Sequence, residues 1–207
     1  MPAKIPFVIP LLFSKQCWKV PNGARKIYLT FDDGPIPEIT EWVLQVLDYY
    51  QIKATFFCIG DNIDKHPDIF KKIVAAQHRI GNHTQHHVNG WKTDNATYLR
   101  EVESCAAKIP TVLGASMLFR PPYGKIRPSQ VTALLEKNYK IVMWTVLSGD
   151  YDSKITPERC LQNVVRHSRS GSIVVFHDSL KASQNLTYAL PKAIEQLLSE
   201  GYVFDVL

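Results

Sequence analysis

The sequence has no closely spaced pair of cysteines, which argues against two classes of small protein. Its four cysteines are spread over 207 residues, at positions 17, 58, 105 and 160. Disulfide scaffolds and zinc sites built from thiolates need cysteines in close pairs or in a dense framework. Cys58 lies inside an apolar segment, so we expect it to be a small buried hydrophobic residue.

Long hydrophobic runs are missing as well. The apolar N-terminal stretch, residues 5–13, is too short to span a membrane, and Pro6 and Pro10 interrupt it. It also lacks the longer apolar core and the small-residue cleavage site of a signal peptide. We therefore expect residues 1–25 to form an arm that packs on a single domain at 26–207, without a membrane span. A cytoplasmic location is favoured.

No stretch is dense in lysine and arginine, although the net charge is +5 and the pI is near 9.0. A positive net charge is compatible with binding to an anionic polymer or a cell surface, and it is equally compatible with an ordinary solvated protein surface. Without a dense basic run, a nucleic-acid partner is not expected. Hydrophobic residues make up 45% of the chain and charged residues 21%, as in an ordinary globular protein. No pattern indicates an oligomeric state.

What the sequence does have is an alternation of short apolar segments and segments with helical spacing. Strands are predicted at 26–29, 54–59, 79–82, 116–119, 140–146, 171–176 and 202–206. Helices are predicted at 38–51, 66–77, 95–108, 128–137, 157–166 and 183–199. Alternation of this kind predicts an α/β fold with a parallel sheet, most simply a barrel. An open doubly wound sheet is the alternative, but no Gly-x-Gly-x-x-Gly follows a strand.

Two adjacent carboxylates, Asp32 and Asp33, follow the first predicted strand, and Gly34-Pro35 breaks it. Carboxylates this close repel each other unless a cation lies beside them. A metal ion resolves the conflict, since one carboxylate can bind it while the other stays a free base. An Asx turn that caps the strand is the competing interpretation.

A histidine cluster follows the third predicted strand. His83 and His87 are four residues apart, which brings two imidazoles to one side of a turn. With one carboxylate they make a ligand set for zinc or another divalent first-row ion. Two surface histidines give the same spacing by chance, and His86 is a competing ligand that spacing alone does not exclude.

Three further strand ends carry polar groups. Arg120 stands beside two prolines, and the rigid turn can aim the Tyr123 amide at a developing oxyanion while Arg120 holds a carboxylate. His177 follows an apolar strand, and with Asp150 as its partner it could stay protonated and act as a general acid. Each motif taken alone has a commoner explanation. Arg120 could be a surface arginine in a proline-rich turn, and His177 could be a hydrogen-bonded histidine of the core.

Taken together, these motifs resemble the polysaccharide deacetylases of carbohydrate esterase family 4, the NodB homology domain. The matching segments are Thr30-Phe-Asp-Asp-Gly-Pro35, His83-Thr-Gln-His-His87, Arg120-Pro-Pro-Tyr123, Trp144 to Tyr151 and Val174-Val-Phe-His177. They span residues 30–177 in the order of the family. The resemblance implies a distorted (β/α)7 barrel and metal-dependent removal of N- or O-acetyl groups from a sugar polymer.

The resemblance also implies roles for individual residues. It makes Asp33, His83 and His87 the ligands of a divalent metal, most simply zinc, with cobalt, nickel or iron as other occupants. It implies the remaining roles as follows: Asp32 as general base, Arg120 as its orienting partner, the Tyr123 amide as oxyanion donor, His177 as general acid and Asp150 as the group that tunes it.

The sequence departs from the family in its fourth and fifth motifs. The usual Asp-x-x-Asp-Trp reads Leu147-Ser-Gly-Asp150-Tyr151, so Tyr151 replaces a tryptophan of the substrate groove. Val174 stands where a leucine usually lines the pocket for the acetyl methyl group, a loss of one methylene worth ~0.8 kcal/mol of burial. Trp91, in a polar loop, is a candidate for stacking on a sugar, whereas Trp144 is expected to pack in the core.

Three functions are compatible with these residues. The first is deacetylation of an N-acetylated glycan, either chitin-like or peptidoglycan. The second is hydrolysis of O-acetyl-xylan or of a small amide by the same groups. The third is a catalytically silent glycan-binding module, which the presence of both Asp32 and His177 disfavours. We therefore expect an active hydrolase with an acetylated glycan as its substrate.

Overall fold

The computed structural model describes residues 3–21, 24–110 and 116–207. The strands are β1 (Lys26–Asp32), β2 (Thr55–Cys58), β3 (Arg79–Asn82), β4 (Met117–Phe119), β5 (Tyr139–Ile141), β6 (Val146–Leu147), β7 (Ile173–His177) and β8 (Val203–Phe204). The helices are α1 (Val8–Leu12), α2 (Ile39–Tyr49), α3 (Gly60–Lys65), α4 (Pro67–Ala75), α5 (Asn95–Ala106), α6 (Pro128–Glu136), α7 (Pro157–His167) and α8 (Ser183–Ser199).

All the named strands pair in parallel, in the order β5-β4-β3-β2-β1-β7-β6, and β8 pairs with β1. The two edge strands of this path, β5 and β6, are separated in the chain by residues 142–145 alone. The five Cα–Cα steps from residue 141 to residue 146 span at most ~18 Å, so the sheet must curl until its edges come close. The predicted α/β barrel is confirmed in this distorted, incompletely closed form.

The stretch predicted as one strand, residues 140–146, is divided in the structure. Its first part, β5, pairs with β4, and its last part, β6, pairs with β7 on the other edge of the sheet. Periodicity along the chain cannot show this change of partner. Nor does apolar spacing predict the short helices α1 and α3.

The N-terminal residues lie against the gap between the two edges. The Cys17 amide donates to the Ile141 carbonyl at 2.7 Å, and the Val20 amide donates to the Gly171 carbonyl at 3.0 Å. Trp18, between them, is buried against the barrel interior. Residues 1, 2, 22 and 23 of the expected arm lie outside the described residues.

Alternation along the strands separates an inner core from an outer one. Leu29, Phe31 and Val174 belong to the outer cluster, which packs against α2, α7 and α8. Tyr28 and Val175 belong to the inner cluster. Since successive side chains of a strand point to opposite faces, Asp32 and His177, the last residues of β1 and β7, lie on the inner face.

Helix ends follow the expected capping chemistry. The Asp94 carboxylate accepts the Thr97 amide at the start of α5, and Thr156 accepts the Arg159 amide at the start of α7.

No helix among the described residues combines the length and the apolar character needed to cross a bilayer.

Candidate active site

A cavity of about 560 Å³ opens where the sheet strands end. Its lining consists of Asp32, Asp33, His83, His87, Pro121, Tyr123, Gly124, Lys125, Trp144, Leu147, Tyr151, Val175, His177, Ser179 and Lys181. Six of the residues predicted for catalysis or metal binding are in this set. The other two, Arg120 and Asp150, lie behind it and contact lining residues.

The loop after β1 carries Asp33, which has a left-handed backbone (φ 86°). The Asn62 side chain donates to the Asp33 carbonyl at 2.7 Å, and the Ile59 amide donates to the Gly34 carbonyl at 3.0 Å. A non-glycine residue in this conformation is uncommon, and such outliers concentrate at functional sites. The turn directs the carboxylate of Asp33 towards His83 and His87, which follow β3.

Asp33, His83 and His87 form a cluster that could hold a metal ion, with their ligand atoms within 4.8 Å of one another. Asp33 Oδ1 is 3.8 Å from His83 Nε2 and 3.4 Å from His87 Nε2. Two ligands ~2.1 Å from one tetrahedral ion are separated by ~3.4 Å, so these distances suit a shared ion. Asp33 Oδ1 is buried and has no hydrogen-bond partner among the described residues, which also fits a ligand atom.

Both imidazoles are oriented through their other ring nitrogen. His83 Nδ1 donates to the Arg120 carbonyl at 2.7 Å, and His87 Nδ1 hydrogen-bonds to the Tyr123 hydroxyl at 3.1 Å. Bonds of this kind fix the tautomer that leaves Nε2 free for a metal. Burial lowers the pKa of His83 to about 3, with a further contribution from His87, and burial likewise lowers the pKa of His87. Both rings are therefore neutral, as metal ligands must be.

His86 is not part of the cluster. Its Nδ1 lies 2.9 Å from Glu101 Oε1, and its amide donates to Glu101 Oε2 at 2.8 Å. The side chain points away to solvent, 60% exposed. Spacing alone leaves His86 and His87 as alternative members of the cluster. The contact with Glu101 favours His87, because it turns His86 away.

Asp32 and Arg120 form a buried pair next to the cluster. Arg120 Nη1 donates to Asp32 Oδ1 at 2.6 Å and to the Thr30 hydroxyl at 2.7 Å. Its Nη2 donates to the Met143 carbonyl at 3.1 Å, and the guanidinium stacks 4.1 Å from the centre of the Phe57 ring. The guanidinium is fully buried, and these bonds and the ring contact restrain its orientation. It holds the Asp32 carboxylate in one orientation at the cavity floor.

His177 and Asp150 form a second pair. His177 Nδ1 donates to Asp150 Oδ1 at 2.8 Å, and the His177 amide donates to Asp150 Oδ2 at 2.6 Å. Burial lowers the pKa of His177, but the charge of Asp150 and its hydrogen bond outweigh burial and raise the pKa to about 9. The ring therefore keeps its proton at neutral pH with Nε2 available as a donor.

Tyr123 has a left-handed backbone (φ 60°) within the 3-10 turn Pro122–Gly124. Its ring lies edge-on to His87, with ring centres 4.5 Å apart, and is 54% exposed. Across the cavity, the Tyr151 ring lies edge-on to His177 at 5.0 Å. An aromatic wall therefore stands on each side of the polar floor.

The remaining residues singled out from the sequence are distributed differently. Val174 is fully buried in the outer core and does not line the cavity. Its neighbour Val175 does, because it shares the inner face of β7 with His177. Trp91 is 59% exposed beside the cavity, with Lys125 Nζ 5.3 Å from its ring centre. Trp144 is buried as expected, yet it also lines the cavity.

Asp178 is a buried carboxyl group that the sequence patterns did not single out. It accepts the Gly34 amide at 3.0 Å, hydrogen-bonds to the Thr40 hydroxyl at 2.6 Å and donates its own amide to the Asp32 carbonyl at 3.1 Å. The one available signal was its position directly after His177. It fastens the loop that carries Asp33.

A candidate metal cluster beside a fixed carboxylate and a protonated histidine is the arrangement of a metal-dependent hydrolase. A family model described as polysaccharide deacetylase matches residues 19–142. The chain belongs to this family, carbohydrate esterase family 4 with the NodB homology domain.

Individual relatives agree with this assignment. The chain is 32% identical to a peptidoglycan-N-acetylglucosamine deacetylase of Bacillus cereus, over 90% of this chain and 88% of the relative. It is 32% identical to a chitooligosaccharide deacetylase of Bradyrhizobium, over 82% and 78%. The crystal structure of the Bc1960 peptidoglycan N-acetylglucosamine deacetylase, solved with a hydroxamate ligand, superposes with a TM-score of 0.88 at 32% identity. It covers 98% of this chain and 95% of the other.

Proposed function

We propose that this chain is a metal-dependent hydrolase that removes N-acetyl groups from N-acetylglucosamine units of a glycan. Three groups meet at one cavity, and this carries the proposal: the Asp33–His83–His87 cluster, the Asp32–Arg120 pair and the His177–Asp150 pair. Each supplies something that amide hydrolysis needs, namely charge stabilisation, a base and an acid.

We propose zinc as the resident ion, since a carboxylate and two neutral imidazoles are among its preferred ligands. Cobalt, nickel and iron are accepted by the same ligand types. When bound, such an ion lowers the pKa of a coordinated water and polarises the acetyl carbonyl.

The protein's own groups complete the reaction. Asp32 takes a proton from the attacking water, and the guanidinium of Arg120 keeps that carboxylate in position. The Tyr123 amide donates to the carbonyl oxygen as it gains negative charge. His177 Nε2 gives its proton to the departing amine, and Asp150 favours the protonated ring until that step.

Substrate contacts are proposed for the aromatic walls. The rings of Tyr123 and Tyr151 are available to stack on sugar rings, and Trp91 extends the surface on the Tyr123 side. Val175 and Leu147 supply the apolar contact for the acetyl methyl group, in place of the contact expected of Val174.

We also propose that residues 26–207 form the catalytic domain and that residues 1–25 serve as an arm packed on it. The hydrogen bonds of Cys17 to Ile141 of β5 and of Val20 to Gly171, just before β7, support this division. The burial of Trp18 supports it as well.

The test is acetate release from chitotetraose and from O-acetylated xylan by metal-stripped protein, with zinc or cobalt added back. Asp32→Asn is the inactive variant, and His86→Gln is the matched control outside the cluster. We expect metal-dependent release from chitotetraose that Asp32→Asn abolishes and His86→Gln retains. Release from xylan alone would make the enzyme an O-acetyl esterase. Metal binding without release from chitotetraose, from xylan or from peptidoglycan strands assayed alongside them would refute deacetylation.

A further inference from the structure

The helix α1 and the residue on each side of it carry a group of large hydrophobic side chains that face solvent. The members of this group, the α1 patch, are Phe7 (84% exposed), Val8 (43%), Leu11 (70%), Leu12 (70%) and Phe13 (48%). Phe7 and Leu11 are four residues apart, as are Val8 and Leu12, so these side chains lie side by side along one face of the helix. Exposed hydrophobic residues that occur singly are ordinary, whereas a contiguous group marks an interaction surface.

The other side of this segment is attached to the barrel. Ile5 and Ile9, also four residues apart, are partly buried and pack against the inner core cluster. The Ile5 amide donates to the Thr145 carbonyl at 3.1 Å, and the Trp18 indole donates to the Phe13 carbonyl at 3.0 Å. The segment is therefore held before and after the helix, and the barrel leaves the α1 patch uncovered.

The chain around the patch is basic. The first 31 residues contain no aspartate and no glutamate. Lys4 directly precedes the apolar stretch 5–13, Lys15 follows it by two residues, and both are exposed, as is Lys19. The ion pairs between described residues involve none of these three lysines. The α1 patch is therefore bordered by positive charge that the protein does not neutralise.

This combination suits a lipid bilayer better than a second copy of the chain. In a two-fold dimer built on the patch, each patch would meet itself, and the lysines of the two copies would be brought together. Like charges placed opposite each other across an interface disfavour it. The interface of a bilayer with anionic lipids offers both complements, since apolar side chains enter the headgroup–acyl boundary and lysines meet the negative headgroups.

We propose that the α1 patch docks this protein on the surface of a bilayer that contains anionic lipids. The apolar side chains of the patch enter the interface, and Lys4 and Lys15 meet the headgroups beside them. Docking of this kind is peripheral and needs no membrane-spanning helix. The inference goes beyond the proposed deacetylase function and does not depend on it.

The test is co-sedimentation of the full chain with vesicles of phosphatidylcholine alone and with vesicles of phosphatidylcholine and phosphatidylglycerol in equal parts. Binding is measured at low salt and at about 0.5 M salt, where surface charges are screened. One double variant, Leu11→Gln with Leu12→Gln, removes apolar contact and keeps good helix formers in α1. A second double variant, Lys4→Gln with Lys15→Gln, removes charge.

Each double variant has a matched control elsewhere on the surface. Leu180→Gln replaces a leucine that is 69% exposed outside the patch. Lys71→Gln removes the charge of an exposed lysine on α4. Melting temperature and light scattering are measured for every variant, because they separate loss of docking from unfolding and from self-association.

We expect the unmodified protein to bind the anionic vesicles and to leave them at high salt. The lysine variant should lower the partition about fivefold for each charge removed, and the leucine variant should lower it about tenfold or more. Both controls should bind like the unmodified protein, and all four variants should keep its melting temperature.

Three results would overturn the inference. The first is no binding to anionic vesicles, or equal binding to both kinds of vesicle. The second is a loss in Leu180→Gln as large as that in the leucine double variant, because any exposed leucine would then contribute. The third is a dimer that the leucine double variant dissociates while neither protein binds vesicles, which would assign the α1 patch to a second copy.

Discussion

The carboxyl group of Asp178 accepts the Gly34 amide at 3.0 Å and fills the space that a side chain at position 34 would need. A Cβ on Gly34 would lie 1.9 Å from Asp178 Oδ2. The same oxygen hydrogen-bonds to the Thr40 hydroxyl, which in turn accepts the Ile36 amide at 2.8 Å. One buried carboxyl group therefore fixes both ends of the turn that follows Asp33.

Gly34→Ala should lower both the thermal stability and the metal affinity of the protein. The added methyl group forces Asp178 away, and each buried polar partner left unsatisfied costs ~1–3 kcal/mol. Differential scanning fluorimetry and zinc calorimetry measure the two effects. Gly201→Ala is the control, because a Cβ there is 3.9 Å from its nearest neighbour and only its backbone (φ 79°) is strained. It should lose stability without losing zinc affinity, and equal losses of affinity in both variants would refute the role given to Asp178.

Asp178→Asn should be tolerated far better than Asp178→Ala. Burial raises the pKa of Asp178 to about 8, so the group is largely protonated at neutral pH and an amide closely imitates it. The alanine variant leaves the Gly34 amide without its acceptor, and we expect it to lose ~2 kcal/mol or more of unfolding free energy. Chemical denaturation at pH 7 compares the two variants. A larger loss for asparagine than for alanine would contradict this account of the buried group.

Site residues that belong to local sequence motifs could be predicted from the sequence. Features that depend on contacts between residues far apart in the chain could not. The predicted order of strands and the turn at Gly34-Pro35 place Asp32, Asp33, His83 and His87 at strand ends from the sequence alone. Asp178 was missed because its partners lie 138 and 144 residues away. The break between β5 and β6 was missed for the same reason, since it is set by which strand each half meets.

Metal binding should depend on His87 and not on His86. His87→Gln removes one of three ligands, whereas His86→Gln removes a side chain that bonds Glu101. We expect the unmodified protein and His86→Gln to bind one equivalent of zinc and to melt at higher temperature when it is present, because a ligand of the folded state stabilises it. His87→Gln should lose most of both effects in calorimetry and fluorimetry. An unaltered zinc affinity in His87→Gln would remove it from the ligand set.

The dependence of kcat on pH should show the effect of Asp150 on the pKa of His177. The general acid must be protonated, so kcat should fall as the pH rises through the pKa of His177, about 9. In Asp150→Asn the charge and charge-assisted bond are lost and burial prevails, so the pKa falls and the decline should begin at lower pH. Asp152→Asn, which removes a nearby carboxylate that does not bond the ring, should leave the profile in place. An identical profile in Asp150→Asn would exclude His177 as the acid.

Arg120→Lys should reduce kcat strongly although it keeps the positive charge. Lysine cannot reproduce the separate bonds to Asp32, Thr30 and the Met143 carbonyl, nor the stacking on Phe57. A base displaced by ~1 Å can cost ~10²-fold in rate, and we expect a loss of that order with zinc affinity retained. Arg79→Lys, whose guanidinium makes one 3.4 Å bond to the Ser116 carbonyl, is the control and should keep its kcat. Full activity of Arg120→Lys would show that Asp32 does not need this orientation.

Val174 and Val175 provide a test of which face of β7 meets the substrate. Val174 packs in the outer core among the helices, whereas Val175 lines the cavity beside Leu147. Removal of two methyl-sized groups from a packed core costs ~1–3 kcal/mol, so Val174→Ala should lower the melting temperature and leave the KM for chitotetraose unchanged. Val175→Ala should raise that KM because the acetyl methyl group loses an apolar contact. The reverse pattern would place the acetyl group against Val174 and would require β7 to turn its other face to the cavity.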